Sequence, residues 1–122
     1  MRKLILGALL TLAVMPASAV EDYTNRANFM LRYCKLAYTN KEALANVENA
    51  FFNGMCDGMV HATMLLAERT VCVPKSATLD QAMRVVVRYG ELHPELTHEF
   101  FTEFVMIALH DAWPCKTPSN QR

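Results

Sequence analysis

The four cysteines are the residues whose type and number define chemistry most clearly. They are Cys34, Cys56, Cys72 and Cys115, and no two of them are spaced C-x-x-C. Neither a redox-active pair nor a zinc ribbon is therefore indicated. An even number of cysteines in a small exported chain predicts two disulfides, because compartments outside the cytoplasm are oxidising. Free buried thiols are the alternative interpretation.

The other polar residues form no recognisable catalytic set. His98-Glu99 begins like a zinc-protease motif, but its second histidine would fall at position 102, which is Thr102. Glu99 and Glu103 are four residues apart, as is common on an exposed helix. The sequence has no G-x-S-x-G motif and no glycine-rich phosphate loop. We therefore predict that the protein is not an enzyme and has no metal site and no cofactor.

One polar stripe is a candidate binding surface. Asn49, Asn53, Asp57 and His61 recur every four residues, so they share one side of a helix. Asp57 and His61 are close enough on such a helix to pair. A solvated helix face is the simpler interpretation. Asn53, Asp57 and His61 are kept as a secondary partner-binding hypothesis.

The N-terminus is typical of a secretion signal. Met1-Arg2-Lys3 is basic, residues 4–15 are almost entirely apolar, and Ala17-Ser18-Ala19 supplies a cleavage site after Pro16. A membrane span needs roughly 20 apolar residues, which is longer than this run. We predict a signal peptide over residues 1–19, cleaved after Ala19, and a periplasmic location for the mature chain.

The mature chain carries no strong charge. Residues 20–122 contain ten Lys and Arg against twelve Asp and Glu, a net charge of −2. This balance does not favour a nucleic-acid partner or an anionic membrane surface. The length predicts a single domain over residues 20–115, followed by a flexible polar tail over residues 116–122.

Helical periodicity recurs in four segments, and no segment reads convincingly as a strand. The capping box Thr78-Leu79-Asp80-Gln81 predicts the start of the third helix, and Gly90 is its predicted C-cap. Pro94 suits the first turn of the fourth helix, whose inward face should include Phe100. We predict an all-α, four-helix, disulfide-stapled domain. The predicted helices cover Asn25–Ala37, Lys41–Glu68, Thr78–Gly90 and His93–Pro114.

The second predicted helix is apolar on two sides, which favours a central position in the fold. Its glycines Gly54 and Gly58 form a small-residue stripe with Ala62. A glycine inside a helix costs about 1 kcal/mol relative to alanine. We therefore expect another helix to approach this stripe closely, or the stripe to be a self-association face.

The predicted helices favour one disulfide pattern over the two others. Cys72 precedes the third helix and Cys115 follows the fourth, and an antiparallel arrangement would bring these outer ends together. Cys34 and Cys56 then remain for the first two helices. We predict the pairs Cys72–Cys115 and Cys34–Cys56.

The second half of the chain resembles a known family. Its landmarks are Val71-Cys72-Val73-Pro74, a valine-rich helix, His93-Pro94-Glu95-Leu96 and the closing Ala108 to Cys115 segment. Leu31-Arg32-Tyr33-Cys34 adds a similar first-helix motif. This order resembles the Rap/Tai family of type VI secretion immunity proteins.

The resemblance implies a periplasmic immunity protein that binds a toxic peptidoglycan amidase delivered by neighbouring bacteria. It further implies that a protruding loop blocks the Cys-His groove of the amidase, and that the protein is a homodimer. We place this loop at the connection between the third and fourth predicted helices. The predicted partner-binding residues there are Glu91, Leu92, His93, Glu95 and His98. Alternatively, the His-Pro-Glu step only caps the fourth helix.

Two other classes of function stay open at this point. A periplasmic acid-stress chaperone would also be small, helical and stapled by disulfides, and four histidines would respond between pH 5 and 8. Another small periplasmic binding protein, such as an accessory subunit of a larger assembly, is the third class. An adjacent toxin gene would favour immunity, whereas solubilisation of other proteins at low pH would favour the chaperone.

Overall fold

Four α-helices form the domain in the computed structural model, which describes residues 23–116. Within that range there is no strand, only two isolated β-bridges. The prediction of an all-α, four-helix domain is confirmed. The predicted signal peptide and the predicted tail beyond Lys116 lie outside the described residues. The helices are α1 (Ala27–Thr39), α2 (Val47–Leu66), α3 (Leu79–Leu92) and α4 (Phe101–Ala112).

Two asparagine caps divide the long second helix that the sequence predicted. The side chain of Asn46 accepts a hydrogen bond from the N–H of Asn49 and starts α2. The side chain of Asn40 accepts one from Ala43 and starts a separate 3-10 turn, Lys41–Ala45. An asparagine side chain can accept a hydrogen bond from a backbone N–H and so start a new helix. The helix is therefore interrupted at Asn46, although the apolar periodicity of the sequence continues across it.

Helix α3 starts where it was predicted and ends later. The Thr78 hydroxyl accepts a hydrogen bond from the N–H of Gln81, which confirms the predicted cap. The helix then continues through Gly90 to Leu92, and no glycine in the described range has a positive φ. A Cβ built on Gly90 would lie 2.5 Å from Cδ1 of Leu31. Gly90 therefore leaves room for the Leu31 side chain of α1, and its predicted role as a C-cap was wrong.

Helix α4 begins seven residues after the predicted first-turn proline. Pro94–Leu96 forms a 3-10 turn, and Phe100 is extended before α4 starts at Phe101. The His93 side chain makes no capping hydrogen bond to this turn. The prediction that His93-Pro94 opens the fourth helix was wrong, because the backbone closes a short turn there first.

The core is built from side chains of all four helices, and both predicted disulfides are present. Cys34–Cys56 joins α1 to α2 with both residues 0% exposed. Cys72–Cys115 joins the segments that flank α3 and α4, where the N–H of Cys72 donates to the carbonyl of Trp113 at 2.9 Å. The largest fully buried side chains include Met30, Val60, Val86, Phe101, Phe104, Val105 and Leu109.

Helix α2 buries only one of its two apolar sides. Cys56 and Val60 are buried, whereas Phe51 and Leu65 are 61% and 60% exposed. Helix α2 packs against all three other helices, which agrees with its predicted central position, but its second apolar side is not covered by the described chain. Nothing within the described chain lies within 4 Å of a Cβ built on Gly58 or on Gly54. The expected approach of another helix of the same chain is therefore wrong.

The two environments of glycine predict unequal effects of alanine. Gly58→Ala should raise the free energy of unfolding by about 0.5–1 kcal/mol, because alanine lowers the backbone entropy of the unfolded chain. The new Cβ would meet no atom of the described chain within 4 Å. Gly90→Ala should raise the free energy of unfolding by about 1 kcal/mol less, because the end of the Leu31 side chain must shift to admit the new Cβ. Thermal unfolding in dilute solution followed by circular dichroism measures both. An equal or larger gain from Gly90→Ala would contradict this packing.

The two disulfides should also differ in their reduction. Cys72 is exposed, whereas Cys34 and Cys56 are 0% exposed. A thiolate must reach a sulfur atom to reduce a disulfide. Under a mild thiol reductant that leaves the protein folded, Cys72 and Cys115 should become alkylated first. Peptide mass spectrometry measures this order, and earlier labelling of Cys34 would contradict it.

Candidate partner-binding site

The connection between α3 and α4, residues 93–100, is tightly hydrogen-bonded within itself. The Thr97 hydroxyl donates to the carbonyl of Pro94 at 2.8 Å. The Nδ1 atom of His98 lies 2.9 Å from the carbonyl oxygen of Glu95. The N–H of Glu99 donates to Leu96 at 3.1 Å. These bonds give the connection a defined shape without regular helix.

The N-terminus of α1 holds this connection in place. The N–H groups of Ala27 and Asn28 donate to the carbonyls of Glu99 and Thr97, at 3.0 and 2.8 Å. First-turn N–H groups have no partner inside their own helix, so these bonds satisfy two of them. Arg26 adds a bond to the carbonyl of His98 at 3.3 Å. We call this set of contacts the α1 clamp.

The first two predicted partner-binding residues end α3 and differ in their surroundings. Glu91 is ion-paired with Lys35 at 2.7 Å, and its hydrogen bond and charge raise the pKa of that lysine. Leu92 is 63% exposed. Leu92 is therefore available to a partner, whereas the Glu91 carboxylate already has one.

Leu92 forms a ridge between two hollows. One hollow, of about 490 Å³, lies between α1 and α3 and includes Lys35 and Tyr38. The other, of about 200 Å³, lies between α3 and α4 and includes Ala108. Leu92 and Arg88 line both. An exposed apolar side chain flanked by hollows gives another protein surface both a projection and recesses to fill.

The remaining predicted residues lie on the connection itself. The ring of His93 packs on Tyr89 with centroids 4.3 Å apart, and its Nδ1 lies 3.3 Å from Oε1 of Glu95. A hydrogen bond from its own backbone N–H lowers the pKa of Glu95, and His93 lowers it further. His98 Nε2 lies 3.1 Å from Oε1 of Glu99. The five predicted residues are thus close in sequence but differ in their contacts. Glu91 pairs with Lys35 of α1, whereas His93 and His98 both contact Glu95.

The secondary surface on α2 is only partly available. Asn53 uses its side-chain amide to donate to the carbonyl of Tyr33 at 2.9 Å, so it belongs to the α1–α2 packing. Asp57 and His61 are exposed. Within residues 23–116 no ion pair joins these two side chains, although their spacing predicted one.

Sequence reasoning missed two residues beside the candidate site. Phe100, predicted to face inward, is 50% exposed, and the Arg26 guanidinium lies 4.1 Å from its ring centroid. Arg88 lies one helical turn before Leu92 and forms no ion pair within the described range. The spacing of Arg88 and Leu92 could have revealed this pairing on one face. Nothing in the local sequence marks Phe100 as exposed.

Two structural features are absent from residues 23–116. No group of three or more His, Cys, Asp or Glu side chains is placed there to hold a metal ion. None of the helices in this range combines the length and hydropathy of a membrane span.

Comparison with known proteins gives one match. The family model of the Rap1a immunity proteins matches residues 26–115. No curated protein and no solved structure matches the chain. The matched range contains the four helices, both disulfides and the clamped connection between α3 and α4. The chain belongs to the Rap1a immunity protein family.

Proposed function

We propose that this chain is a periplasmic immunity protein that binds and inhibits a type VI secretion peptidoglycan amidase effector. Its family membership carries the proposal. Two disulfides fit an oxidising compartment. The protein would act as an inhibitor and not as an enzyme, which agrees with a family of immunity proteins.

The proposed mechanism is occlusion of the active-site groove by the end of α3 and the connection that follows. Leu92 would enter the groove, and the Glu95 carboxylate would accept a charge-assisted hydrogen bond from the histidine of the amidase. The α1 clamp supports this mechanism, because a connection that is already ordered loses little entropy on binding. Nanomolar affinity corresponds to about −12 kcal/mol and requires such a preformed surface.

The proposal is tested with purified residues 20–122 and the product of the adjacent gene, which should itself hydrolyse peptidoglycan as an amidase. The chain should abolish peptidoglycan hydrolysis at a near-stoichiometric ratio and should leave an amidase of an unrelated effector active. Full hydrolysis in the presence of excess chain would contradict the proposal. Suppression of aggregation of other proteins at pH 3, without inhibition, would favour the chaperone alternative.

A further inference from the structure

A recess between α1 and α3 is basic, although the chain as a whole is slightly acidic. It comprises the hollow of about 490 Å³ beside Leu92 and an adjoining hollow of about 300 Å³, and both include Lys35 and Val87. We call the two hollows together the α1–α3 groove. The charged side chains that line it are Arg32, Lys35, Arg84, Arg88 and Glu91. The groove therefore carries a charge of +3, whereas residues 20–122 carry a net charge of −2.

The basic side chains of the groove occur as pairs of like charge on each helix. Arg84 and Arg88 are four residues apart on α3, and Arg32 and Lys35 are three residues apart on α1. Residues at these spacings are neighbours on a helix surface, where like charges are destabilising. Lys35 and Arg84 each have an ion-pair partner, whereas Arg32 and Arg88 form no ion pair within residues 23–116. The described chain thus leaves two cations of the groove without a carboxylate.

Aromatic rings hold two of the guanidinium groups in place. The Cζ atom of Arg84 lies 4.4 Å from the ring centroid of Tyr38. The Cζ atom of Arg32 lies 4.5 Å from the centroid of Phe29 and 4.6 Å from that of Tyr33. A guanidinium that stacks on a ring keeps N–H donors at its edge for a carboxylate. Cations that are already positioned lose little entropy when an anion binds.

The shape of the groove indicates what kind of anion it suits. Val87 lines both hollows and is 4% exposed, and Leu92 stands at the rim. Apolar walls of low dielectric strengthen the attraction of a basic cleft for an anion. A membrane surface is flat on this scale and does not enter a recess between two helices. A peptide segment that carries both carboxylates and an apolar side chain matches the charge and the floor of the groove.

We infer that the α1–α3 groove docks an acidic segment of the partner protein. Carboxylates of that segment would pair with Arg32 and Arg88, and an apolar side chain would pack on Val87. The inference rests on the proposed function for the identity of the partner, which is the effector. It adds a second area of contact beside Leu92 and predicts that the effector carries acidic residues next to its active site.

Association kinetics with the product of the adjacent gene test the inference. Arg32→Glu/Arg88→Glu should slow association about 10-fold or more at about 0.05 M NaCl, because charges at a rim mainly affect the association rate. The difference should shrink at about 0.5 M NaCl, since salt screens exposed charges. Thermal unfolding verifies that the variant is folded.

The matched control is Arg69→Glu/Lys75→Glu. It makes the same change of charge at two exposed cations that lie outside the groove and also form no ion pair within the described range. Its association rate should stay within about 3-fold of that of the unmodified chain. An unchanged rate for the groove variant, or equal slowing by both variants, would overturn the inference.

A peptide probe tests the groove without the effector. A short peptide of glutamates around one leucine should shift the amide signals of Lys35, Val87 and Arg88 in NMR spectra of ¹⁵N-labelled residues 20–122. The same peptide with lysine in place of glutamate should not shift them. If the gene product does not bind, the proposed function fails, and this probe alone decides the inference. Equal shifts with both peptides, or none with either, would overturn it. Saturable binding to phosphatidylglycerol vesicles that Arg32→Glu/Arg88→Glu abolishes would overturn it in favour of a membrane.

Discussion

Replacing Leu92 with aspartate is expected to weaken inhibition of the effector by about 100-fold or more, which corresponds to about 2.7 kcal/mol. Leu92 is the exposed apolar residue between the two hollows, and a charge there would have to be desolvated in the groove of the proposed amidase partner. Since the side chain contributes little to the core, the melting temperature should stay within about 3 °C of the unmodified protein. Inhibition titrations and calorimetry measure the two quantities.

Three further variants make this result interpretable. Met106→Asp places the same charge on an exposed apolar position of α4 and should leave inhibition unchanged. Arg88→Ala should weaken inhibition about 10-fold, since it removes an unpaired cation beside Leu92. His93→Ala should mainly lower stability, by roughly 1 kcal/mol, because it removes the contact with Tyr89. Full protection by Leu92→Asp would exclude the end of α3 and the connection after it as the inhibitory surface. Asp57 and His61 would then be the next candidates.

Removing the buried disulfide should cost the most stability of any change considered. In the chain-entropy model, the 22-residue separation of Cys34–Cys56 corresponds to about 3 kcal/mol and the 43-residue separation of Cys72–Cys115 to about 4 kcal/mol. Loop length alone would rank the second disulfide higher. However, Cys34 and Cys56 are 0% exposed, and alanine at both positions leaves a cavity that adds about 1–2 kcal/mol.

The double variant Cys34→Ala/Cys56→Ala should therefore lose about 5 kcal/mol, a large part of the stability of a small domain. Urea denaturation of this variant and of Cys72→Ala/Cys115→Ala measures the difference. The Cys72–Cys115 pair is the matched control, because Cys72 is exposed and Cys115 is only half-buried, outside the core. A smaller loss for the buried pair would show that loop closure, and not packing, determines the order.

Features with a local or topological signature could be predicted from the sequence. The Thr78 cap depends on residues three apart, and both disulfides follow once the helices are taken as antiparallel neighbours. The break at Asn46 was missed because apolar periodicity continues across it. The start of α4 was misplaced because a proline suits a 3-10 turn as well as an α-helix.

The sequence predicted an exposed apolar residue in the candidate site but not how that site is held in shape. The exposure of Leu92 agrees with the prediction, whereas Gly90 was interpreted as a turn residue and in fact admits Leu31 of α1. The α1 clamp joins residues 26–28 to residues 97–99. No local pattern marks contacts between backbone groups so distant in sequence, so the rigidity of the site could only be seen in the folded chain.

The α1 clamp has a consequence for how the binding specificity of this chain could change during evolution. The groups that hold the connection are mainly backbone N–H and carbonyl groups, such as those of Ala27 with Glu99 and Asn28 with Thr97. Such bonds form whatever side chains the residues carry, proline donors excepted. Outward side chains such as Glu95 can therefore be exchanged one at a time, and the proposed binding specificity could change with them. The backbone of the connection keeps its shape when these side chains change, so a new specificity does not require a new fold.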